Sequence, residues 1–346
     1  MSEDGERPQP GAGERLVRMI FGTTIAHSVG AAARLRVVDA LGDTEREYAE
    51  VARELDVDPQ GLLRLLRALT GLELLTEPRP GVFAATEFGR LLGTDHPQSL
   101  VAFAEVFTDR LMVRSWEDLA DCVRTGQPAF PQHFGKSYFD YLEERPELSA
   151  RFNASMREST RGTAKVLPDA FDFSTASTLV DVGGGDGSLL AAVLRRYPDL
   201  RGTVYDTPGG LAQAASTMAE AQVADRFHAE TGDFFTSVPE GADLYLLKSV
   251  IHDWSDDQCV TLLGNVREAL PEHGRVLILE PVMPPVARPE WAGGYLSDLN
   301  MLVNLGGRER TEADYVQLCQ RAGLRPPTLT RLPGGNAFSL IETSRA

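Results

Sequence analysis

The chain has 346 residues, a hydrophobic content of 42% and a formal net charge of −16, so it is long enough for two domains with a sizeable core. The negative charge argues against nucleic-acid binding, which depends on neutralising phosphates, and no run of about eighteen apolar residues is present to cross a membrane. The three cysteines are far apart and odd in number, which argues against a disulfide framework and against a zinc site.

The N-terminal part of the chain predicts a polar leader followed by a mostly helical domain. Residues 1–14, MSEDGERPQPGAGE, are acidic and rich in proline and glycine and lack the apolar core of a signal peptide. We therefore expect a disordered leader and a cytoplasmic protein. Residues 15–105 combine apolar residues at helical spacing with a helix-turn-helix pair and a short hairpin in GVFAATEFGRLL. This is the outline of a winged helix.

A winged helix has two interpretations, a DNA-binding regulator that senses a small molecule or an interaction module. Its second helix carries Arg64 and Arg67, which would suit a phosphate backbone. The surrounding segments carry seven acids that would repel one: Glu47, Glu50, Glu54, Asp56, Asp58, Glu73 and Glu77. This balance favours an interaction module. The domain also has more apolar helix than it can bury alone, which predicts a homodimer.

Residues 106–346 predict a second, larger domain. Its first part, residues 106–173, is mostly helical and rich in aromatic residues and methionine, as expected for core and for part of a ligand pocket. From Thr178 onward, short apolar strands alternate with amphipathic helices. That alternation predicts an α/β domain with a doubly wound, Rossmann-like parallel sheet.

A glycine-rich loop follows the first predicted strand, in VDVGGGDGSLL. Asp181, Gly183, Gly185 and Gly187 match the first loop of S-adenosylmethionine-dependent methyltransferases at every position, whereas Ser188 stands where the dinucleotide fingerprint needs glycine or alanine. Such a loop lets backbone N–H groups approach a ligand. A tight strand-to-helix turn without a ligand is the alternative.

Two further strand ends carry residues suited to adenosine. Asp206 ends the second strand at the spacing where an acid binds a ribose diol, which would also suit a nicotinamide cofactor. Asp233 and Phe234 follow the third strand and suit an adenine amine and ring. Each residue alone could be a helix cap or a core side chain. Together, along one rim of the sheet, they indicate an adenosine site.

The fourth and fifth strands end in a candidate catalytic pair. His252 lies just beyond the fourth strand, in LLKSVIHDWSDDQ, and Glu280 ends the fifth, in VLILEP. Neighbouring strands bring both to one crevice, where a carboxylate holds a histidine in one tautomer and makes it more basic. A capped loop and a strand-end acid are the alternatives. Ser255, Asp256 and Asp257 favour an ordinary helix start after the loop.

These motifs, in this order, resemble the small-molecule O-methyltransferases that include plant caffeate and flavonoid enzymes, acetylserotonin methyltransferase and bacterial polyketide-tailoring enzymes. The resemblance extends over nearly the whole chain. It implies an intertwined homodimer formed by the winged-helix domain. It also implies that S-adenosylmethionine donates a methyl group to a phenolic hydroxyl of an aromatic natural-product intermediate. No cluster of metal ligands is visible in the sequence, which disfavours a magnesium-assisted mechanism.

The resemblance assigns roles by position. It implies that His252 is the catalytic base, with Glu280 and Glu309 orienting it. The cofactor contacts that it implies are Asp181, Gly183, Gly185, Asp206, Asp233, Phe234, Lys248 and Trp254. The acceptor contacts are Phe152, Met156 and Met301. Asp186 and Leu305 depart from the family pattern.

The reaction class has a rival on the same scaffold, because some bacterial relatives have lost the histidine and catalyse hydroxylation or decarboxylation. The intact His252-Asp253-Trp254 sequence favours methyl transfer. The pKa of a phenol, about 10, exceeds that of imidazole, about 6.5, so complete deprotonation of the phenol by His252 before the reaction is unfavourable. We therefore expect proton removal to accompany methyl transfer. On that basis the rate should rise with pH through the neutral region.

Overall fold

The computed structural model describes residues 11–334 and 337–346. The chain divides into two compact units, of which the first ends at Asp109 and the second begins at Arg110. The sequence prediction placed this boundary between residues 105 and 106. Residues 1–10 of the predicted leader lie outside the described residues. The first helix begins at Ala12, so residues 12–14, which the sequence analysis assigned to the disordered leader, are helical.

The first unit consists of six helices and a small antiparallel sheet within the described residues. The helices are α1 (Ala12–Ile20), α2 (Gly22–Arg34), α3 (Val37–Leu41), α4 (Tyr48–Glu54), α5 (Pro59–Gly71) and α6 (Val101–Phe107). The strands are β1 (Arg46–Glu47), β2 (Leu75–Arg79) and β3 (Val82–Ala85), in the order β1-β3-β2. Helices α4 and α5 followed by the β2–β3 hairpin form a winged helix. The hairpin spans residues 75–85, so its predicted place within GVFAATEFGRLL was wrong, because β2 carries Glu77, Pro78 and Arg79 and has little strand pattern.

Local signals in the sequence explain the start of α5 and the fold of this unit. Asp58 caps α5 by accepting a hydrogen bond from the Gly61 amide at 2.7 Å, and Pro59 occupies the first turn, where no amide is needed. Leu66 and Phe83 are fully buried in the core between α5 and the wing. Helix α1, in contrast, has no buried residue. Its apolar side chains, including Met19 and Ile20, are therefore exposed within the described part of the chain.

The second unit starts with a helical segment and continues into a large sheet. The helices of the segment are α7 (Arg110–Arg114), α8 (Leu119–Thr125), α9 (Phe130–Phe134), α10 (Tyr138–Glu143) and the long α11 (Pro146–Ala170). The later helices are α12 (Ser188–Arg196), α13 (Ala214–Glu220), α14 (Asp256–Ala269), α15 (Ala292–Asn304) and α16 (Glu312–Arg321). The strands are β4 (Thr178–Val182), β5 (Arg201–Asp206), β6 (Phe227–Thr231), β7 (Leu244–Lys248), β8 (Arg275–Met283), β9 (Arg310–Thr311), β10 (Thr328–Arg331) and β11 (Phe338–Ser344).

The sheet has the strand order β10-β11-β8-β7-β4-β5-β6, and β9 pairs separately with β8. Strands β6, β5, β4, β7 and β8 are parallel, which confirms the doubly wound, Rossmann-like prediction. Strand β11 runs antiparallel to β8 and forms a hairpin with β10. The sequence did not predict β10 or this reversal, because a short edge strand carries little hydrophobic pattern.

The central parallel strands β4, β7 and β8 are mostly buried, as expected where helices cover both faces of a sheet, whereas the edge strand β6 has no buried residue. Tyr245, Leu246 and Leu247 of β7 are fully buried, as are Leu277 and Ile278 of β8. Polar residues therefore collect beyond the strand ends. In the described part of the chain no single helix is long and apolar enough to cross a membrane. Helices α1 and α2, which meet at a bend of 47°, reach the necessary length and apolar composition only when they are taken together.

Candidate active site

His252 lies on a short 3₁₀ turn, Ile251–Asp253, between the end of β7 and the start of α14. The chain leaves β7 through Ser249, whose φ of 55° is in the left-handed region, and must reverse before α14 begins. A capping box formed by Ser255 and Gln258 fixes the start of that helix. The His252 side chain is 13% exposed, so it faces a crevice and not bulk solvent.

Glu280 holds the backbone of this turn. The side chain is completely buried on β8, and its Oε1 accepts hydrogen bonds from the amides of Val250, Ile251 and His252 at 3.0, 2.9 and 3.2 Å. Its Oε2 lies 3.4 Å from His252 Nδ1 and has no hydrogen-bond partner among the described residues. Glu280 thus anchors the turn chiefly by accepting hydrogen bonds from the backbone amides of the turn.

Glu309 contacts the imidazole directly. Its Oε1 lies 3.0 Å from His252 Nδ1 and also accepts a hydrogen bond from Ser297 Oγ at 2.9 Å. The Glu309 amide donates to Asp298 Oδ1 at 2.8 Å, which ties the segment before β9 to α15. A carboxylate at Nδ1 favours the tautomer that leaves Nε2 free to accept a proton.

Three acidic groups around His252 control its pKa. Burial lowers the pKa of the imidazole, but Glu280, Asp253 and Glu309 more than offset this and raise it from 6.5 to about 10. Asp253 lies 3.5 Å from His252 Nε2, and burial raises its own pKa to about 7. Burial also raises the pKa of Glu280. The cluster therefore stabilises an imidazolium and raises the pKa of His252 well above the ordinary value on which the sequence analysis relied.

The same cluster has a spacing that could hold a metal ion. One ligand-type atom from each of His252, Glu280 and Glu309 lies within 4.8 Å of the other two. Two of those residues are already engaged, since Glu280 accepts three amides and Glu309 is paired with Nδ1. This arrangement favours a histidine base held by carboxylates.

Arg310 is a positioning residue that the sequence analysis missed. It is fully buried, and its guanidinium donates to the carbonyls of Ile251 and Trp254 and to Asp256. These acceptors flank the His252 turn on both sides. The residue is adjacent to Glu309 in the RER sequence, which is the signal that could have identified it.

The glycine-rich loop between β4 and α12 has the geometry of a ligand cradle. Gly183, Gly185 and Gly187 all have positive φ, at 69°, 56° and 73°, and a Cβ on Gly185 would meet nothing within 4 Å. Below the loop, Asp181 is buried, and its Oδ2 has no hydrogen-bond partner in the described chain. Burial and the nearby Asp206 and Asp186 raise the pKa of Asp181 to about 7.

Asp206 at the end of β5 is bonded to the glycine-rich loop. Its Oδ2 accepts a hydrogen bond from the Gly185 amide at 2.8 Å, and Oδ1 accepts one from the Thr207 amide at 2.7 Å. Burial of the carboxyl raises its pKa. The carboxylate retains further lone pairs for a diol.

The predicted adenine contacts lie next to this loop. Phe234 lies 3.8 Å from the position of a Cβ on Gly183 and 5.9 Å, centroid to centroid, from the ring of Trp254. Asp233 itself is exposed and accepts hydrogen bonds from the Phe235 amide and from Thr236. Its described contacts are therefore those of a turn-capping residue.

Lys248, at the end of β7, lies near Asp181 below the glycine-rich loop and near Glu280 of the His252 cluster. Its Nζ donates to Thr160 Oγ1 at 3.0 Å and lies 5.0 Å from the centre of the Phe338 ring. Burial lowers its pKa from 10.5 to about 8, while Glu280 and Asp181 oppose this effect. Its described hydrogen bond is thus to α11.

The predicted acceptor residues lie on two helices of the second unit. Phe152 and Met156 are on α11. The centre of the Phe152 ring lies 5.5 Å from that of Tyr138 and 6.1 Å from that of Phe139. Phe139 in turn lies 5.5 Å from Trp254, which links this aromatic cluster to the His252 turn. Met301 is buried on α15, the helix that also carries Ser297 and Asp298.

Comparison with known proteins decides the family. Residues 116–325 match the O-methyltransferase domain family, and residues 17–95 match the O-methyltransferase dimerisation domain. The chain belongs to the S-adenosylmethionine-dependent O-methyltransferases. The methyltransferase therefore carries both domains of this family, and the predictions of its fold, enzyme class and cofactor are confirmed.

Relatives resemble the methyltransferase over most of its length. It is 46% identical to the O-demethylpuromycin-O-methyltransferase of Streptomyces alboniger over 339 residues, which is 97% of this chain and 90% of that one. It is 36% identical to a phenazine O-methyltransferase of Lysobacter antibioticus, over 94% of each chain. The crystal structure of an O-methyltransferase from neocarzinostatin biosynthesis, in complex with S-adenosylmethionine and 2-hydroxy-5-methyl naphthoic acid, aligns with a TM-score of 0.81 at 33% identity, covering 93% of this chain and 96% of that one.

Proposed function

We propose that His252 is the general base of this O-methyltransferase and that the acceptor is a phenolic hydroxyl of an aromatic natural-product intermediate. The observation that carries the proposal is the clamp on the imidazole. Glu309 binds Nδ1 at 3.0 Å, and Glu280 holds the turn through three amides, so Nε2 is left as the proton-accepting atom.

The residues present fit a cationic cofactor. Asp181 and Asp206 place two buried carboxyl groups beside the glycine-rich loop, which suits a positively charged ligand. The unpartnered, buried Asp181 Oδ2 suits a donor group, and the open side of Gly185 leaves room for it. We propose that Asp181, Gly183, Gly185 and Asp206 hold S-adenosylmethionine, with Phe234 and Trp254 beside the adenine. Asp233 and Lys248 complete this proposed set.

The proposed mechanism gives each side chain a defined role. Bound S-adenosylmethionine supplies an electrophilic methyl group on a sulfonium. His252 Nε2 accepts the proton of the acceptor hydroxyl as that oxygen becomes the nucleophile, and Glu309 and Glu280 stabilise the resulting imidazolium. The carboxylates that raise the pKa of His252 to about 10 in the ligand-free site bring it toward that of a phenol, about 10. Proton transfer from a bound phenol to the neutral imidazole is therefore less uphill than transfer to an ordinary imidazole. Orienting the reactants can contribute up to roughly 7–11 kcal/mol.

The relatives' acceptors support the substrate class. Two of them are named for 3-amino-4-hydroxybenzoate and 2,7-dihydroxy-5-methyl-1-naphthoate, at 34% and 36% identity. Both compounds carry a hydroxyl on an aromatic ring, as the proposed base requires. The aromatic cluster around Phe139 and Phe152 provides ring faces for such an acceptor. We propose that Phe152, Met156 and Met301 line its pocket.

Hydroxylation is the second candidate reaction, because an aclacinomycin 10-hydroxylase of Streptomyces purpurascens is 36% identical over 323 residues. The intact clamp around His252 favours methyl transfer in this chain. We also propose a cytoplasmic location, since all three cysteines are free and buried, as is usual in a reducing compartment.

Incubation with S-adenosylmethionine and the three acceptors named by relatives, O-demethylpuromycin, 3-amino-4-hydroxybenzoate and 2,7-dihydroxy-5-methyl-1-naphthoate, tests this proposal by mass spectrometry. We expect a mass gain of one methyl group on an aromatic oxygen of at least one compound and a loss of this product in His252→Gln. An oxygenated or decarboxylated product would favour the second candidate. Calorimetry with S-adenosylmethionine and NAD tests the cofactor site, where Asp206→Ala should weaken S-adenosylmethionine binding by about 1.5–3 kcal/mol and exposed Asp199→Ala should not.

A further inference from the structure

Helix α11 presents a row of polar side chains to the ends of three neighbouring strands. Asn153, Arg157 and Thr160 are spaced by four and three residues, so they lie on one face of the helix. Asn153 Nδ2 donates to the carbonyls of Gly209 and Gly210, just beyond β5, at 3.0 and 3.3 Å. This is the first of three such contacts.

The other two contacts continue in the order of the strands. Arg157 Nε forms an ion pair with Asp186 in the loop after β4, and Lys248 at the end of β7 donates to Thr160 Oγ1 at 3.0 Å. The sheet order β5-β4-β7 is thus followed along the helix. From residue 153 to residue 160 a helix rises about 10.5 Å, and two strand spacings amount to about 9.6 Å. Helix α11 therefore crosses the carboxyl ends of these strands in register with them.

Asp186 connects this helix to the glycine-rich loop. The residue is 5% exposed, its Oδ1 accepts a hydrogen bond from the Ser188 amide at 3.0 Å, and its other oxygen faces Arg157. Gly185 and Gly187, on either side, both have positive φ. One carboxylate therefore joins the first turn of α12, the loop that would hold the cofactor, and α11. The sequence analysis had left the departure at this position without a role.

We infer that the Arg157–Asp186 ion pair couples the cofactor loop to the acceptor-binding side of α11, so that an occupied loop fixes the position of that helix. Phe152 and Met156 each immediately precede a member of the polar row, so they form the adjacent stripe of the same helix. Holding Arg157 thus holds the acceptor side chains. This inference rests on the proposed cofactor and acceptor sites, and it makes Arg157 and Asp186 positioning residues.

Hydrogen exchange on the full-length protein, with S-adenosylhomocysteine as the probe, tests the coupling. In the wild type, saturating S-adenosylhomocysteine should slow exchange of the α11 amides. Asp186→Asn keeps the acceptor for the Ser188 amide but removes the charge, and Arg157→Gln removes the partner. In both variants we expect the ratio of α11 exchange rates without and with ligand to be about tenfold smaller than in the wild type. The ligand should still bind. Arg151→Gln, exposed on the same helix, is the control and should match the wild type.

A charge exchange separates coupling from simple destabilisation. Asp186→Arg alone places two guanidinium groups together, whereas Asp186→Arg with Arg157→Asp restores an ion pair of opposite polarity. We expect the double variant to recover part of the ligand-dependent slowing lost in Asp186→Arg. Equal ligand-dependent slowing in the wild type and Arg157→Gln, or no recovery in the double variant, would overturn the coupling. Failure of the wild type to bind S-adenosylhomocysteine at all, measured by calorimetry, would instead refute the proposed cofactor site on which the coupling depends.

Discussion

Arg310 Nη1 donates a hydrogen bond to the carbonyl oxygen of Ile251, 2.7 Å away, one residue before the catalytic candidate His252. Nη2 reaches the Trp254 carbonyl at 2.8 Å, two residues after it. A completely buried guanidinium therefore holds the His252 turn from its carbonyl side, while Glu280 holds it from its amide side. The rigidity of the turn comes from a buried cation and a buried anion on opposite faces of one short backbone segment.

Replacing Arg310 tests that relationship. A lysine keeps the charge but cannot form the guanidinium fork, and each lost hydrogen bond to a charged group is worth about 1.5–3 kcal/mol. We expect Arg310→Lys to lower kcat by about ten- to a hundredfold, with S-adenosylhomocysteine affinity near that of the wild type. Arg308→Lys is the control, because Arg308 contacts Asp256 and Asp314 and is 41% exposed. A wild-type kcat in Arg310→Lys would show that the turn does not need this anchor.

The pH profile should reveal the carboxylates around His252. Only the neutral imidazole can accept a proton, so the rate should rise with pH until His252 is deprotonated. Its pKa of about 10 in the ligand-free site places this rise above neutrality, and a bound sulfonium, being positive, moves it part of the way down. Initial rates measured between pH 6 and about 10 should therefore show an inflection above the ordinary imidazole pKa of about 6.5.

Glu309→Gln should move this inflection to lower pH, because it removes a negative charge that stabilises the imidazolium. The glutamine side chain can still face His252 Nδ1 but orients the imidazole less strongly than a carboxylate does. Turnover at saturating acceptor should therefore also fall. Exposed Glu312→Gln, at the start of α16, provides a matched control. An unchanged inflection in Glu309→Gln would mean that Glu309 does not act on the titrating group.

His252→Gln separates catalysis from binding. Glutamine has a similar reach and can form a hydrogen bond but is not a base, so we expect turnover to fall by roughly 10²–10⁴-fold with S-adenosylhomocysteine binding retained. Part of the activity should return at alkaline pH, where the phenol ionises without a base. His273→Gln, at the exposed histidine that pairs with Asp243, controls for loss of a histidine. Near-wild-type turnover of His252→Gln with a phenolic acceptor would show that positioning of the reactants is sufficient and that His252 is not the base.

The metal-compatible spacing of His252, Glu280 and Glu309 leads to a separate prediction. Because Glu309 and Glu280 already engage the imidazole and its backbone, we expect full activity after dialysis against EDTA, and no stimulation by Mg²⁺ or Zn²⁺. Activity that disappears on chelation and returns with one specific metal ion would contradict the proposed base.

The exposed face of α1 should be the basis of self-association. Met19 and Ile20 are 71% and 70% exposed in the single chain, and they lie within the matched dimerisation domain. Burying one such side chain is worth about 1.5–3 kcal/mol. We expect light scattering to give a dimer mass at micromolar protein, with Ile20→Asp shifting it toward monomer and Arg15→Ala on the same helix having no effect. A monomer mass for the wild type would refute the assignment of α1 to a homodimer interface.

The strand ends of the second unit could be predicted from sequence because they depend on local signals. Apolar runs define β4, β5 and β7, and glycines at 183, 185 and 187 are required by positive φ. Parallel strands then bring Asp206 and the glycine-rich loop to one rim, and this follows from topology alone. The pattern of hydrophobicity and turn residues therefore determined the fold class and the location of the candidate site.

The roles within the site depended on tertiary structure. The strand pattern could place Glu280 near His252, and the family resemblance added Glu309, but only packing decided that Glu280 binds three amides while Glu309 binds the ring. The pKa of His252 likewise depends on burial together with the neighbouring Asp253 and with Glu280 and Glu309 from two distant chain segments. Arg310 and Asp186 act through partners about sixty and thirty residues away, at Ile251 and Arg157. Such distant pairs have no local pattern, because hydrogen-bond geometry and desolvation are properties of the folded crevice and not of any one segment.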